Sequence, residues 1–336
     1  MIVTGKIVQV MNGTVILLKI SWPIGRRKSL INMKTRIINL NIISSYSKKM
    51  AMFAVTVLLF STSCLIADQT PLSAFKWHMG ESGGVIITGY NGPGGTVIIP
   101  KQINGVPVIS IGVLAFSYWQ LTSVTIPNSV ITIEYMAFAN NQLTSVIIPN
   151  SVTTIGGGAF QGNQLTSVII PNNVTSIGEE AFSDNHLSSV TIGYNVNSIG
   201  YMAFAHNQLS SITIPYSVTS IGDWVFLSNV NLQGITVSKC NTHFVSIDGV
   251  LFNANKTKLI LFPPGRAGSY TIPASVNYIG TGAFVPNSLT NIVIGANVKF
   301  GNFALEYSFE AAYINNGRVA GTYTRPHANS WDWACN

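Results

Sequence analysis

The sequence predicts a β-rich repeat solenoid built from 22-residue units with short strands and short helical or irregular returns. Three observations predict this fold class. Seven positions are apolar in every unit, and the whole chain is 47% apolar but only 9% charged, which is typical of a folded protein with a buried core. An isoleucine also recurs at one fixed interval, as expected for a solenoid, at Ile111, Ile133, Ile155, Ile177, Ile199 and Ile221.

The segment that precedes the repeats predicts export. Residues 50–67 are apolar and uncharged, and Lys48 and Lys49 lie directly before them, as in a secretory signal. We expect 50–67 to be a signal peptide or lipoprotein signal. Residues 1–49 are expected to be a mis-annotated or leader extension with a basic region. An uncleaved membrane anchor is the alternative interpretation of 50–67.

Cys64 is the candidate lipidation site. It follows Phe60–Ser63 in a context that resembles a relaxed lipoprotein box, and cleavage after Ala67 is the alternative. A multiply acylated cysteine would hold the protein firmly at a membrane surface. The other thiols, Cys240 and Cys335, lack a disulfide framework and are expected to be unpaired.

The distribution of charge argues against a nucleic-acid partner. The chain has a formal net charge of +7, but residues 1–67 contain nine Lys and Arg and no acidic residue. The remainder contains nine basic and eleven acidic residues, a net charge of −2. The repeats therefore lack the basic surface that binding to phosphates requires.

Each repeat unit is predicted to contain one strand and one return. In the segment L-x-x-V-x-I the Leu, Val and Ile face inward, because side chains alternate along a strand. The proline that follows ends the strand, since it has no N–H to donate. The segment I-G-x-x-A-F then turns the chain back and places Ala and Phe in the core. Stacked neighbours are needed for stability, because one unit buries too little apolar surface to fold alone.

A column of asparagines follows the repeat phenylalanines, each at the third position after its Phe. We predict a structural ladder in which each side chain bonds backbone groups of the adjoining turn, and a ligand-binding line is the alternative. The column comprises Asn141, Asn163, Asn185, Asn207, Asn229 and Asn287.

The outward strand positions form three columns of neutral residues, named the candidate face below. The structural interpretation is a coating of residues that suit exposed strands. The functional interpretation is an extended recognition surface of the kind that solenoids provide. The candidate face comprises Thr122, Ser123, Thr125, Thr144, Ser145, Ile147, Thr166, Ser167, Ile169, Ser188, Ser189, Thr191, Ser210, Ser211 and Thr213.

The units LTSVTIPNSVITIEYMAFANNQ and LTSVIIPNSVTTIGGGAFQGNQ resemble the BspA-type leucine-rich repeats of bacterial surface proteins. The resemblance covers about residues 83–303 and departs at Glu134, which replaces a glycine, and at Trp119, which replaces a ladder asparagine. It implies a leucine-rich-repeat superhelix at the bacterial cell surface, in the outer membrane or in secreted form. It also implies adhesion to a protein or glycan of a host or neighbouring cell.

The solenoid is predicted to extend over residues 68–302, with an N-terminal cap and one insertion. The interval from Ile221 to Ile279 is not a whole number of repeat periods, so additional residues must be inserted there. Asp248 and Gly249 are a tight-turn signal between apolar residues, and a hairpin is therefore expected near 240–265.

Residues 303–336 are predicted to be a C-terminal cap or tail. Such a cap would cover the last apolar face of the solenoid, and its candidate residues are Tyr307, Phe309, Tyr313 and Tyr323. Trp331 and Trp333 either pack in this cap or offer an aromatic contact to a glycan or partner.

No pattern in the sequence predicts catalysis. Of the five histidines, His186 and His206 lie in the repeats and have no paired nucleophile at matching positions. Neither a G-x-S-x-G motif, a phosphate-binding loop nor a zinc-ligand spacing is present. We expect a non-enzymatic binding protein without cofactor or metal, which contacts membranes only through a lipid anchor or an uncleaved signal. A structural or self-associating envelope scaffold is the alternative function.

Overall fold

The computed structural model describes residues 2–11, 14–23, 70–305 and 307–335. The predicted signal at 50–67 and Cys64 lie outside the described residues. Two compact units are present, Met1–Ala67 and Asp68–Asn336. In the part of the chain that is described, the structure contains no helix with the length and apolar character needed to cross a membrane.

In the described residues of the first unit, β1 (Ile2–Met11) pairs antiparallel with β2 (Thr14–Pro23). The second unit begins with a single 3-10 turn, Leu72–Ala74. Five strands follow it: β3 (Phe75–Met79), β4 (Val85–Tyr90), β5 (Gly95–Ile98), β6 (Gln102–Ile103) and β7 (Val106–Ile111). Strand β3 pairs antiparallel with β4, and β4 pairs parallel with β7. This cap leads directly into the stacked coils.

The repeats contain ten short strands that lie on two walls of the solenoid. In chain order they are β8 (Leu121–Thr125), β9 (Thr132–Ile133), β10 (Thr154–Ile155), β11 (Ser167–Ile169), β12 (Ser176–Ile177), β13 (Ser189–Thr191), β14 (Ser198–Ile199), β15 (Ser211–Ile214), β16 (Ser220–Ile221) and β17 (Gly234–Val237). The fold class predicted from the repeat period is therefore confirmed.

One wall is an unbroken parallel ladder, which we name the isoleucine sheet. It consists of β7, β9, β10, β12, β14 and β16, with each repeat isoleucine paired to the next. The prediction assigned this segment only to the return, and that assignment was incomplete. The following glycine permits the close stacking, because a Cβ on Gly178 would lie 2.4 Å from the nitrogen of Gly157.

The wall that carries the candidate face pairs only in places. Strands β5 and β8, β11 and β13, and β15 and β17 form parallel pairs, but residues 143–148, where a strand was predicted, form none. The isoleucine sheet and the turns that contain Phe bond without interruption from coil to coil. The isoleucine sheet and the phenylalanine turns thus fix the stacking of the coils. The wall that carries the candidate face is therefore paired only where its segments come within hydrogen-bonding distance.

The core is a column of stacked phenylalanine rings. Neighbouring centroids lie 5.2–6.0 Å apart and the ring planes are within 17° of parallel. The fully buried rings are Phe116, Phe138, Phe160, Phe182, Phe204 and Phe226. Stacking in this manner adds aromatic contacts to the burial of apolar area, so each coil completes the core of the next.

An antiparallel excursion interrupts the solenoid after β17. The strands in this region are β18 (Phe244–Ile247), β19 (Val250–Asn253), β20 (Lys258–Leu261), β21 (Ala267–Thr271), β22 (Tyr278–Ile279), β23 (Ser288–Ile294) and β24 (Lys299–Phe300). Asp248 and Gly249, with φ values of 49° and 79°, form the turn between β18 and β19, the geometry that a two-residue hairpin turn requires. Parallel pairing resumes between β20, β22 and β24.

The C-terminal cap consists of α1 (Tyr307–Asn315), β25 (Gly321–Thr324) and β26 (Ala334–Cys335). Phe309, Tyr313 and Tyr323 are fully buried, and Tyr313 donates its hydroxyl to the carbonyl of Gly295 at 2.7 Å. Tyr307 does not join them, contrary to the prediction. It is the first residue of the helix and is 83% exposed to solvent.

Candidate functional site

The candidate face is a neutral surface of alternating strand positions. All fifteen of its residues are exposed. The apolar residues between them point inward and are buried, except that Val146 and Val190 are only half-buried. Since none of the fifteen side chains carries a charge, a partner would be held by hydrogen bonds to hydroxyls and by apolar contact.

The centre of the candidate face is apolar and grooved. Ile147 and Ile169 stand side by side on successive coils and are 84% and 70% exposed. A groove of about 320 Å³ lies between these coils, lined by Ser145, Val146, Ile147, Ile148, Asn150, Ser167, Val168, Ile169 and Pro171. It occurs where residues 143–148 lack strand pairing, so the gap between this segment and β11 becomes a surface feature.

Sequence reasoning placed the two isoleucines in one column but missed the groove. Ile147 and Ile169 are separated by one repeat period, which already implied that they are neighbours. Nothing in the sequence indicated that the ladder is broken there, because the segments at 143–148 and 165–170 have the same sequence, LTSVII.

The asparagine column lies inside the solenoid and joins successive coils. The Asn163 Oδ1 accepts the N–H of Leu143 from the preceding coil at 3.1 Å. Its Nδ2 donates to the carbonyls of Phe138, Phe160 and Gln161 at 2.9–3.3 Å. The same four contacts recur at Asn141, Asn185, Asn207 and Asn229. The polar atoms of these buried side chains are all hydrogen-bonded to backbone groups, so they are not available to a ligand.

Asn287 is bonded differently from the rest of the column. Its Oδ1 accepts the N–H of Leu289 in its own coil and a bond from Arg325, and its Nδ2 donates to Phe284. Ala267, which occupies the position equivalent to Leu143, pairs instead with Ser288 in the ladder of β21 and β23. Asn287 therefore contributes to the C-terminal cap rather than to a bridge between coils.

The described residues contain no group of three or more His, Cys, Asp or Glu side chains that could hold a metal ion. The histidines in the repeats, His186 and His206, are exposed. Cys240 is an exposed thiol, and Cys335 lies against Tyr323, whose pKa is raised mainly by burial.

A family model of the BspA type leucine rich repeat region matches this chain in six copies, over residues 109–233, 154–266 and 187–315. The matches extend from 109 to 315, more than half of the 336 residues. The chain belongs to the BspA-type leucine-rich-repeat family. No curated protein sequence matches it significantly.

Two solved structures of similar fold place this BspA-type chain among bacterial leucine-rich-repeat proteins. The pneumococcal vaccine antigen PcpA is 26% identical with a TM-score of 0.61, covering 68% of this chain and 65% of its own. A leucine rich cell surface protein from Faecalibacterium prausnitzii is 28% identical with a TM-score of 0.56, covering 70% and 73%. The chain thus spans less than two-thirds of the pneumococcal structure.

Proposed function

We propose that this protein is an exported, non-enzymatic binding protein that attaches its cell to a protein on a host or neighbouring cell. The family and the two similar structures, one of them described as a cell surface protein, support a surface location. Attachment to the membrane through an acylated Cys64 is part of this proposal. The observation that carries the proposed binding to a partner is the groove between Ile147 and Ile169.

The apolar centre of the candidate face supports a protein partner. Protein interfaces concentrate their binding energy in a small apolar centre surrounded by neutral polar groups that exclude water. Ile147 and Ile169 supply the centre, and the hydroxyls of Ser145 and Ser167 lie beside them. A broad surface of this kind, built on a rigid repeat, suits a partner that covers several coils.

The test is binding of the purified full chain to immobilised matrix proteins and to whole host or bacterial cells. Replacing Ile147 and Ile169 together by Ser should weaken binding by about tenfold or more, because central apolar residues each contribute about 1–2 kcal/mol or more. The matched control is Thr213→Ser, on the same face but outside the groove. Equal binding by the double variant and the wild type, or no binding to any of these surfaces, would contradict the proposal.

A self-associating envelope scaffold is the second candidate function. The observation in its favour is the same pair of exposed isoleucines on a part of the chain with a net charge of only −2 between residues 68 and 336, because low charge offers little resistance to association. Analytical ultracentrifugation separates the two candidates. A monomer at all concentrations excludes the scaffold, whereas oligomers that dissociate in the Ile147→Ser variant support it.

A further inference from the structure

The C-terminal cap contains a polar cavity that is separate from the candidate face. Its volume is about 240 Å³, below the range of roughly 300–1,000 Å³ that holds drug-sized ligands, and it is lined by Asn287, Arg325, Ala328, Asn329, Ser330 and Trp331. A cavity of this size suits a single small ring rather than a peptide segment.

The floor of the cavity is rigid. Arg325 is only 4% exposed, and its Nε donates to the carbonyl of Leu289 at 2.6 Å. Its Nη1 donates to the carbonyl of Ser330 at 3.2 Å, and its Nη2 lies 3.2 Å from Asn287 Oδ1. The guanidinium also stands 4.8 Å from the ring of Trp333. Such a floor requires little ordering when a ligand binds, which favours affinity.

The rim of the cavity combines an aromatic surface with a carboxamide. Trp331 is 70% exposed although it lines the cavity, and Asn329, which also lines it, is exposed as well. A pyranose ring has an apolar face of C–H groups and a circumference of hydroxyls. An indole suits the first by apolar contact, and the amide of Asn329 offers both a donor and acceptors to the second.

We propose that this cavity binds one pyranose residue of a surface glycan, with Trp331 stacked on the sugar and Asn329 bonded to its hydroxyls. The site is independent of the candidate face, since it uses the cap rather than the coils. The chain would then contact a surface through two kinds of chemistry, one for protein and one for carbohydrate.

Saturation-transfer NMR of the purified full chain tests this site with three probes: chitotriose, maltotriose and trigalacturonic acid. We expect transfer to at least one of them, and the comparison separates neutral from acidic sugars. Trp331→Ala should weaken binding of that probe by about three- to tenfold, as expected for loss of an aromatic contact. Trp331→Phe should retain most of the affinity, because a ring remains.

Trp77→Ala is the matched control, since it removes an exposed tryptophan from the N-terminal cap. It should leave binding of the sugar unchanged. Absence of transfer to all three probes would overturn the proposal, and so would equal affinity of Trp331→Ala and wild type. The isoleucine variants of the candidate face should bind the sugar normally, so failure of the protein interaction does not affect this test.

Discussion

The asparagine column shows why one side chain type is required at the boundary between coils. A carboxamide has one acceptor oxygen and two N–H donors on a short stem. Asn163 uses the oxygen for a peptide N–H of the preceding coil and the nitrogen for three carbonyls. Aspartate would lack the donors, and glutamine would displace both groups by one methylene. The asparagine column therefore bonds buried backbone groups that the isoleucine sheet and the phenylalanine turns leave without a partner.

Replacing Asn163 by Ala should lower the free energy of unfolding by about 2–4 kcal/mol, because each buried polar group left without a partner costs about 1–3 kcal/mol. Equilibrium urea unfolding, followed by circular dichroism, measures the loss. Asn173→Ala is the control: this exposed asparagine also bonds the preceding coil, at the carbonyl of Asn150, but its groups are open to water. If both variants lowered the free energy of unfolding equally, burial would not be the reason that the asparagine column stabilises the solenoid.

Residue patterns alone revealed the core positions but not the backbone conformation of the turns. Periodicity identified Phe160 and its equivalents because burial acts on side-chain type in every coil. Two residues near each of these turns have positive φ, for example Glu180 and Asp184 at 54°. Only one coil has glycine at both positions, Gly158 and Gly162. The other coils accept the strained conformation because coil-to-coil hydrogen bonds hold the turn, and those bonds leave no trace in residue type.

At the scale of the element, the phenylalanine turn joins hydrogen bonding to core packing. The N–H of Phe160 donates to the carbonyl of Ala181 at 2.8 Å, while its ring stacks between Phe138 and Phe182 at 5.4 Å from each. Backbone bonds thus fix the coil separation at a value that also suits parallel ring stacking.

Phe160→Ala should lower the free energy of unfolding by about 3–5 kcal/mol, since it leaves a cavity in the middle of a closed column. Thermal and urea unfolding both measure this change. Ile147→Ala serves as the control, because that side chain is 84% exposed and surface substitutions change stability by about 0.5 kcal/mol or less. A loss below about 1 kcal/mol for Phe160→Ala would contradict its place in the core.

The sequence could predict which element faces inward, but not which element forms the unbroken ladder. Alternation in L-x-x-V-x-I reports burial, and burial is nearly the same for residues 165–170, where a strand pairs, and for 143–148, where none does. Pairing depends on the distance between coils. That distance is fixed elsewhere, by the hydrogen bonds of the isoleucine sheet and of the phenylalanine turns, so the groove at Ile147 could be found only in three dimensions.

At the scale of the whole molecule, the insertion divides the core. One apolar cluster extends from Ala74 to Leu261, and a second from Val250 to Trp333. The hydrogen bonds that join the two regions include those from Ile235 to Gly249 and from Gly265 to Leu232, both 2.9 Å. Repeat proteins derive their stability from contacts between neighbours, so an interruption of the stack should weaken the coupling between its two sides.

Phe284→Ala should therefore destabilise the C-terminal cluster with little effect on the repeats before the insertion. Phe284 is fully buried and stacks on Phe262 at 5.0 Å, so its loss opens a cavity in the second cluster. In hydrogen exchange detected by mass spectrometry, the exchange rate of peptides from 250–305 should rise at least about tenfold. This increase corresponds to a free energy of local opening that is lower by at least about 1.4 kcal/mol. Peptides from 130–200 should change little. Phe160→Ala is the reciprocal control and should give the opposite distribution. Equal acceleration along the entire stack in either variant would show that the solenoid opens as one cooperative unit, and that the insertion transmits stability as well as an ordinary coil does.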